Sequence, residues 1–331
     1  MAVERFDEFV ERALYHPETG FYTAGGGAPG RRGDFLTSPE VGPLFGAVLA
    51  RALDAWWVEL GRPDPYWLVE VGAGGGALAR SVAAARPACA AALRAVLVER
   101  SPALRDRLAE RLPPGMRVAE AAPPGPLVGV VVANELLDNL PFRLLERRAG
   151  RWLEVHVQDG AEVLASAADP RSLPPFLPPA PDGARAPLLE QAAAWVRDSL
   201  ARLSRGRVVV FDYGVETTAE LVARPPSEWL RTYRAHRAGA SPLHAPGTQD
   251  VTCELAWDQL PAPTLRVRQA EWLRSHGLDH LVDEGRRVWR ERAHLGDLAA
   301  LTARSRVREA EALCDPAGLG AFWACEWRVE R

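Results

Sequence analysis

Apolar positions in the first sixty residues fall at helical spacing. Phe6, Phe9, Val10 and Leu14 share a face within residues 3–15, and Val41, Leu44, Phe45, Val48, Leu49 and Leu53 share one within 41–60. Between them runs a glycine-rich loop, Gly25-Gly26-Gly27-Ala28-Pro29-Gly30-Arg31-Arg32-Gly33, so the opening reads as a helical cap interrupted by a mobile segment. The period changes from residue 66. Tyr66–Val71, Arg94–Val98 and Leu127–Ala133 are short apolar runs. Helical stretches separate them, at Ala77–Ala85 and from the Ser101-Pro102 cap to about Leu112. Leu127–Ala133 is apolar almost without a break, which suits a strand covered on both faces. Strands alternating with helices predict a mostly parallel sheet with crossover helices.

The pattern loosens in the second half. Trp152–Gln158 and Glu162–Ser166 flank Asp159-Gly160, a hairpin signal. Seven prolines between 169 and 187 argue against a helix or an inner strand, and this stretch is expected as a stiff surface connection. A helix over 188–204 and a strand at Arg207–Tyr213 resume the sheet, with further strand candidates at 264–269 and 321–329. The whole reads as one elaborated α/β fold. A helical cap or lid spans 1–62, and a Rossmann-like core spans 63–331. That core carries a hairpin and Pro-rich insertion at about 142–187 and a substrate-side segment at about 215–262.

Composition narrows the chemistry. The chain of 331 residues is 47% hydrophobic and 25% charged, an ordinary globular balance. All 40 basic residues are arginine. Without lysine there is no Walker-A nucleotide site and no Schiff-base chemistry on pyridoxal phosphate or a carbonyl. A net charge of −3 gives no footprint for nucleic acid, and the eleven tryptophans are expected in packing rather than base stacking. Cys89, Cys253, Cys314 and Cys325 have no paired spacing, which suggests free thiols in a reducing compartment. The start is acidic where a signal peptide is apolar, and no run approaches a membrane span, so a cytoplasmic protein is expected. His276 and His280 lack a third ligand, and no metal site is expected.

The most informative stretch is Glu70-Val71-Gly72-Ala73-Gly74-Gly75-Gly76, at the end of the first strand and before a helix. Glycines there let the backbone approach a ligand at a helix N-terminus. Gly72, Gly74 and Ala77 satisfy the dinucleotide fingerprint, with Glu99 as the ribose acid. The same letters satisfy the first motif of class I S-adenosylmethionine (SAM) methyltransferases, in which Glu70 organises the methionine end of the ligand. The acid before the loop and the sixty residues of cap favour SAM. After the Leu127–Ala133 strand comes Asn134-Glu135-Leu136-Leu137-Asp138-Asn139-Leu140-Pro141, a polar cluster facing the same crevice. Glu135 and Asp138 would share a face on one helical turn, and Asn134 would be its N-cap. Paired carboxylates there can orient a cationic or protic nucleophile and assist loss of its proton.

Several stretches, in order, resemble the MidA-like family of SAM-dependent methyltransferases. Tyr15-His16-Pro17-x-x-Gly20-x-Tyr22, Gly33-Asp34-Phe35-x-Thr37-x-Pro39-Glu40 and Phe45-Gly46 come first. The glycine loop, Glu99-x-Ser101-Pro102 and the Asn134–Pro141 string follow. Then come Asp212-Tyr213-Gly214, Arg231-x-Tyr233-x-x-His236 and Pro246-Gly247-x-x-Asp250-Val251-Thr252. The resemblance implies that Gly72, Gly74, Gly76 and Glu99 hold SAM. It makes Gly33, Asp34, Thr37 and Glu40 a lid, and puts Glu135 and Asp138 on the acceptor side. It also implies a protein substrate, because the family's mitochondrial member is a protein arginine methyltransferase that modifies a respiratory complex I subunit during assembly. Arg268-Gln269-Ala270 departs from the Thr-Gln-Gly usual in the family. Two other classes remain open at this point: an NAD-dependent oxidoreductase, and a non-catalytic assembly factor that keeps the fold.

Overall fold

The apolar runs of the central chain assemble into a seven-stranded sheet. Its strands are numbered in chain order: β1 (Tyr66–Val71), β2 (Leu93–Val98), β3 (Met116–Ala119), β4 (Leu127–Asn134), β5 (Leu203–Asp212), β6 (Leu265–Arg268) and β7 (Trp323–Glu330). Helices are α1 (Phe6–Tyr15), α2 (Ser38–Val41), α3 (Pro43–Glu59), α4 (Ala77–Ala85), α5 (Pro102–Ala109), α6 (Glu190–Arg202), α7 (Thr218–Val222), α8 (Gln269–Ser275), α9 (Leu278–Arg292) and α10 (Leu298–Leu313). The computed structural model describes residues 3–23, 37–166, 174–234, 237–239 and 241–330. The loop from Gly25 to Gly33, with Gly33 and Asp34, and also His236, lie outside the described residues.

Spatial order in the sheet is β3-β2-β1-β4-β5-β7-β6. Strands β1 to β5 run parallel, and β7 pairs antiparallel with both β5 and β6. Chain direction across the sheet reverses between β1 and β4, so the ligand crevice lies beyond the carboxyl ends of those two strands. The unbroken apolar sequence of β4 has the cause expected of it. Val131 and Ala133 enter one core with α1 and α6, while Val130 and Val132 enter the other with α3, α4 and α8. Trp272 of α8 closes the second core, its indole N–H donating to the Glu326 carboxylate at 2.6 Å and its ring edge-on to Phe211.

Three smaller sheets accompany the central one among the described residues, one of them the short parallel pairing of Gly214–Val215 with Leu255–Ala256. Between β4 and α6 the chain forms Arg143–Arg148, Arg151–Gln158, Ala161–Ser166 and Arg185–Leu188, an antiparallel set that also takes in Glu4–Arg5. The Asp159-Gly160 turn joins two of these strands, as its sequence indicates. The end of the Pro-rich stretch is a strand rather than a connection, and it is an edge strand, where Pro187 needs no ladder donor. The third sheet pairs Leu230–Arg234 with Arg237–Ala238 and Asp250–Cys253. Helix α5 stops at Ala109, a turn short of the expected Leu112. No helix among the described residues is long and apolar enough to cross a membrane.

Strand β5 slips register against β4 between Leu203 and Arg205, and Gly206 follows at φ 136°. A Cβ there would lie 1.8 Å from the Gly129 carbonyl oxygen. Gly206→Ala is expected to destabilise the fold by about 2–4 kcal/mol. A urea midpoint equal to that of the wild type would contradict this packing.

Candidate active site

The glycine loop is built by two hydrogen bonds that continue the sheet past its last residue. Gly72 and Ala73 both donate to the Val98 carbonyl, at 2.9 and 3.1 Å, and Gly72 turns with φ 73°. A Cβ on Gly72 would stand 3.0 Å from Leu136, so this loop and the polar cluster after β4 lie against each other. Glu99 directly follows β2 and pins the loop from the side. One carboxylate oxygen accepts from the Gly74 N–H at 2.9 Å, the other from the Ser101 N–H at 2.8 Å. Each oxygen keeps a lone pair for a further donor. Glu70, the last but one residue of β1, is buried, and its Oε2 has no partner among the described residues. Burial pushes its carboxyl up to about 8, against the pull of the Ala79 N–H and Arg80.

The cluster after β4 differs from its expected helical turn. The Glu135 N–H makes one more rung with the Phe211 carbonyl at 2.8 Å, and the residue then turns with φ 51°. A short 3-10 turn, Leu137–Asn139, follows. Asn134 is therefore the end of a strand and not an N-cap. Its side-chain amide donates to Glu135 Oε1 at 3.0 Å, and the Ser38 N–H of α2 reaches the same oxygen at 3.3 Å. Asp212, fully buried at the end of β5, holds the turn. It accepts from the N–H groups of Leu137, Asp138 and Tyr213 at 2.9, 3.4 and 2.9 Å. The acids crowd one another. Burial, then the charge of Asp138, raises Glu135 to about 8. Burial, then Glu135, raises Asp212 to about 8. Asp138 is pushed well up by burial and by Asp212 and Asp250.

Two cavities meet here. The first, about 470 Å³, is lined by Glu70, Gly72, Gly74 and Glu99, and also by Thr37 and Glu40. The second, about 430 Å³, is lined by Asp138, Tyr213, Arg231, Tyr233 and Asp250. Glu135 and Asn139 belong to both. Asp250 Oδ1 accepts from Asn139 Nδ2 and from the Tyr22 hydroxyl, each at 3.0 Å, which ties the N-terminal segment to the third sheet. Of the residues expected at the site, Glu70, Gly72, Gly74, Glu99, Thr37, Asn134 and Glu135 line the first cavity and Asp138 the second. Gly76 stands behind the loop as the left-handed cap of α4. Asn139, Tyr22 and Glu120 carry no role in the sequence reading, yet they line these walls. The period-two pairs Arg231/Tyr233 and Asp250/Thr252 were the available signal for the third sheet's contribution.

A sheet in the order 3-2-1-4-5-7-6 with a glycine loop after β1 and an acid directly after β2 defines a class I methyltransferase fold. The chain belongs to the family described as "Putative S-adenosyl-L-methionine-dependent methyltransferase", whose profile matches residues 48–276. It superposes on a crystal structure from Burkholderia thailandensis bound to S-adenosyl-homocysteine with a TM-score of 0.80 at 29% identity, covering 98% of this chain and 87% of that one. It is similar to the mitochondrial protein arginine methyltransferase NDUFAF7 homolog of Drosophila melanogaster, with 41% identity over 73 residues. Against the mitochondrial protein arginine methyltransferase NDUFAF7 of Homo sapiens the identity is 35% over 71 residues. Each match takes in 22% of this chain and 16% of the relative, so the chain spans about a sixth of these curated relatives' length. The cofactor is SAM rather than NAD. The first cavity fits it: the orphaned Glu70 oxygen wants a cation, and Glu99 has lone pairs to accept hydroxyl protons.

The raised Glu70 sets a pH dependence. Its carboxyl ionises near 4.5 in the unfolded chain and at about 8 in the fold, so the fold carries an extra proton between those values. This contribution to stability is complete below the lower value and is lost as pH rises to the upper one. Glu70→Gln removes it, so the variant's stability relative to wild type should climb by up to about 1.4 kcal/mol per pH unit across that interval. A difference that stays constant with pH in chemical denaturation would contradict the burial of this acid.

Proposed function

We propose that the chain transfers a methyl group from SAM to an arginine side chain of a protein. Gly72, Gly74 and Gly76 shape the cofactor cradle, Glu70 takes the ammonium of the methionine end, and Glu99 takes the ribose hydroxyls. Thr37 and Glu40, which line the first cavity, serve as the described part of the lid. The reading rests on one observation: the second cavity shares Glu135 and Asn139 with the first and presents Glu135, Asp138 and Asp250 together. The names of the NDUFAF7 relatives support the same acceptor over the part they share.

A guanidinium is what such a floor lacks. Burial and then crowding raise the Glu135 and Asp138 carboxyls, and an entering cation stabilises their ionised forms. Glu135 and Asp138 then accept N–H bonds from the guanidinium, which fixes its plane and aims one nitrogen into the first cavity. Bound SAM supplies an electrophilic methyl group on a sulfonium. Orientation of the nitrogen provides much of the acceleration, and a carboxylate already bonded to that nitrogen is placed to receive its proton. Asn134 holds Glu135 for this task through its side-chain amide.

The two cavities should separate under mutation. Glu135→Gln is expected to lower turnover by a factor of about 10²–10⁴ with little change in S-adenosylhomocysteine affinity. Glu99→Ala should instead weaken that affinity about tenfold or more. Calorimetry supplies the affinities. Turnover is read by transfer of labelled methyl to protein extract, followed by hydrolysis to amino acids. Label recovered on a residue other than arginine would overturn the acceptor, and loss of affinity in Glu135→Gln would make that residue part of the cofactor cradle.

A further inference from the structure

The second cavity carries positive charge as well as negative, and the two are separated by depth. Asp138 and Asp250 are 4% and 2% exposed, whereas Arg268 is exposed on the same cavity's wall. Arg268 is a fixed side chain. Its guanidinium carbon sits 3.6 Å from the centroid of the Trp323 ring, and its Nη1 donates to the Ala321 carbonyl at 2.7 Å. Its neighbour Arg231 is 4.0 Å from Glu254. Among the described residues no carboxylate pairs with Arg268, whereas Arg266 on the same indole lies 3.8 Å from Glu216, so Arg268 is the cation of the pair left for a ligand. A planar guanidinium held flat on a ring, with N–H groups still unsatisfied, is preorganised to receive a carboxylate.

We infer that Arg268 selects the acceptor: the protein segment that delivers its arginine to the acidic floor carries an aspartate or glutamate close to that arginine, and this carboxylate pairs with Arg268 at the mouth. The inference rests on the second cavity being the acceptor site. It adds a charge pattern, basic residue inward and acidic residue outward, that a uniformly basic peptide does not have. Like charge at the mouth also disfavours basic flanks, so discrimination comes from repulsion as well as attraction.

The test crosses two variables in short peptides capped at both ends. The central residue is arginine, lysine or glutamine, and the flanking residues are aspartate, alanine or lysine. Binding in the presence of S-adenosylhomocysteine and methylation with SAM are both measured. The expected order for arginine peptides is aspartate flanks, then alanine, then lysine, with each step roughly fivefold in kcat/KM. Arg268→Ala should collapse that ratio, and Arg268→Glu should reverse it toward lysine flanks, with thermal melting to confirm that both variants fold. Equal use of all flanks by the wild type, or a preference that survives in Arg268→Ala, overturns the inference while leaving arginine as acceptor. A flank preference that depends on Arg268 but favours central lysine or glutamine upholds the mouth and overturns the arginine acceptor. Binding of no peptide overturns both.

Discussion

The site depends on a crowd of buried and half-buried carboxyl groups at the carboxyl ends of β4 and β5. Asp212 is fully buried, and Glu135 and Asp138 stand on the turn that it holds. Burying like charges together is unfavourable unless protons or cations neutralise them. Nothing about a class I sheet requires such a cluster, so it has the character of a functional feature retained at a cost in stability. The backbone around it is arranged to tolerate the charge. Three N–H groups point at Asp212, and an N–H from α2 joins the Asn134 amide on Glu135.

Segments distant in sequence complete this region, which explains why the N-terminal part of the chain bears on the chemistry. Tyr22 closes over Asp250, and Ser38 links Glu135 to Gln269 through its backbone and its hydroxyl. Gln269 in turn donates to the Leu313 carbonyl at the end of α10. Glu309 of the same helix accepts the Leu44 N–H at 2.8 Å, just after α2. The wall carrying Thr37 and Glu40 is thus fastened from behind by the C-terminal helices. Those helices have no visible purpose in the sequence, and here they brace the cofactor cavity.

Much of the sheet was legible in the sequence because its strands are pure cases. Tyr66–Val71 and Leu127–Asn134 are largely apolar on both faces, with Glu70 and Asn134 near their carboxyl ends, and are bounded by glycine or polar turns. The glycine loop and Glu99 were legible for a related reason: their spacing relative to a strand end constrains what they can do. Strand β3 was missed because its four residues include an exposed arginine and no alternation. Arg143–Arg148 was missed because its charges are satisfied across the sheet, as in the Arg143–Glu154 pair, and such long-range pairing leaves no local period. The left-handed turn at Glu135 was hidden as well, since an Asn followed by acids reads as a helix start. Asn139 and Tyr22 could not be assigned from sequence, because their role is to meet Asp250, more than a hundred residues away.

On the proposed function, the acid cluster holds protons until a guanidinium replaces them. Calorimetric titration of the S-adenosylhomocysteine complex with an arginine peptide at neutral pH, repeated in buffers of different ionisation enthalpy, reads this directly. The expected result is release of about one proton per peptide bound, reduced in Glu135→Gln. Binding with no proton release, or with release unchanged in that variant, would mean that the carboxyl groups are already ionised and that the cavity recognises its acceptor by other contacts.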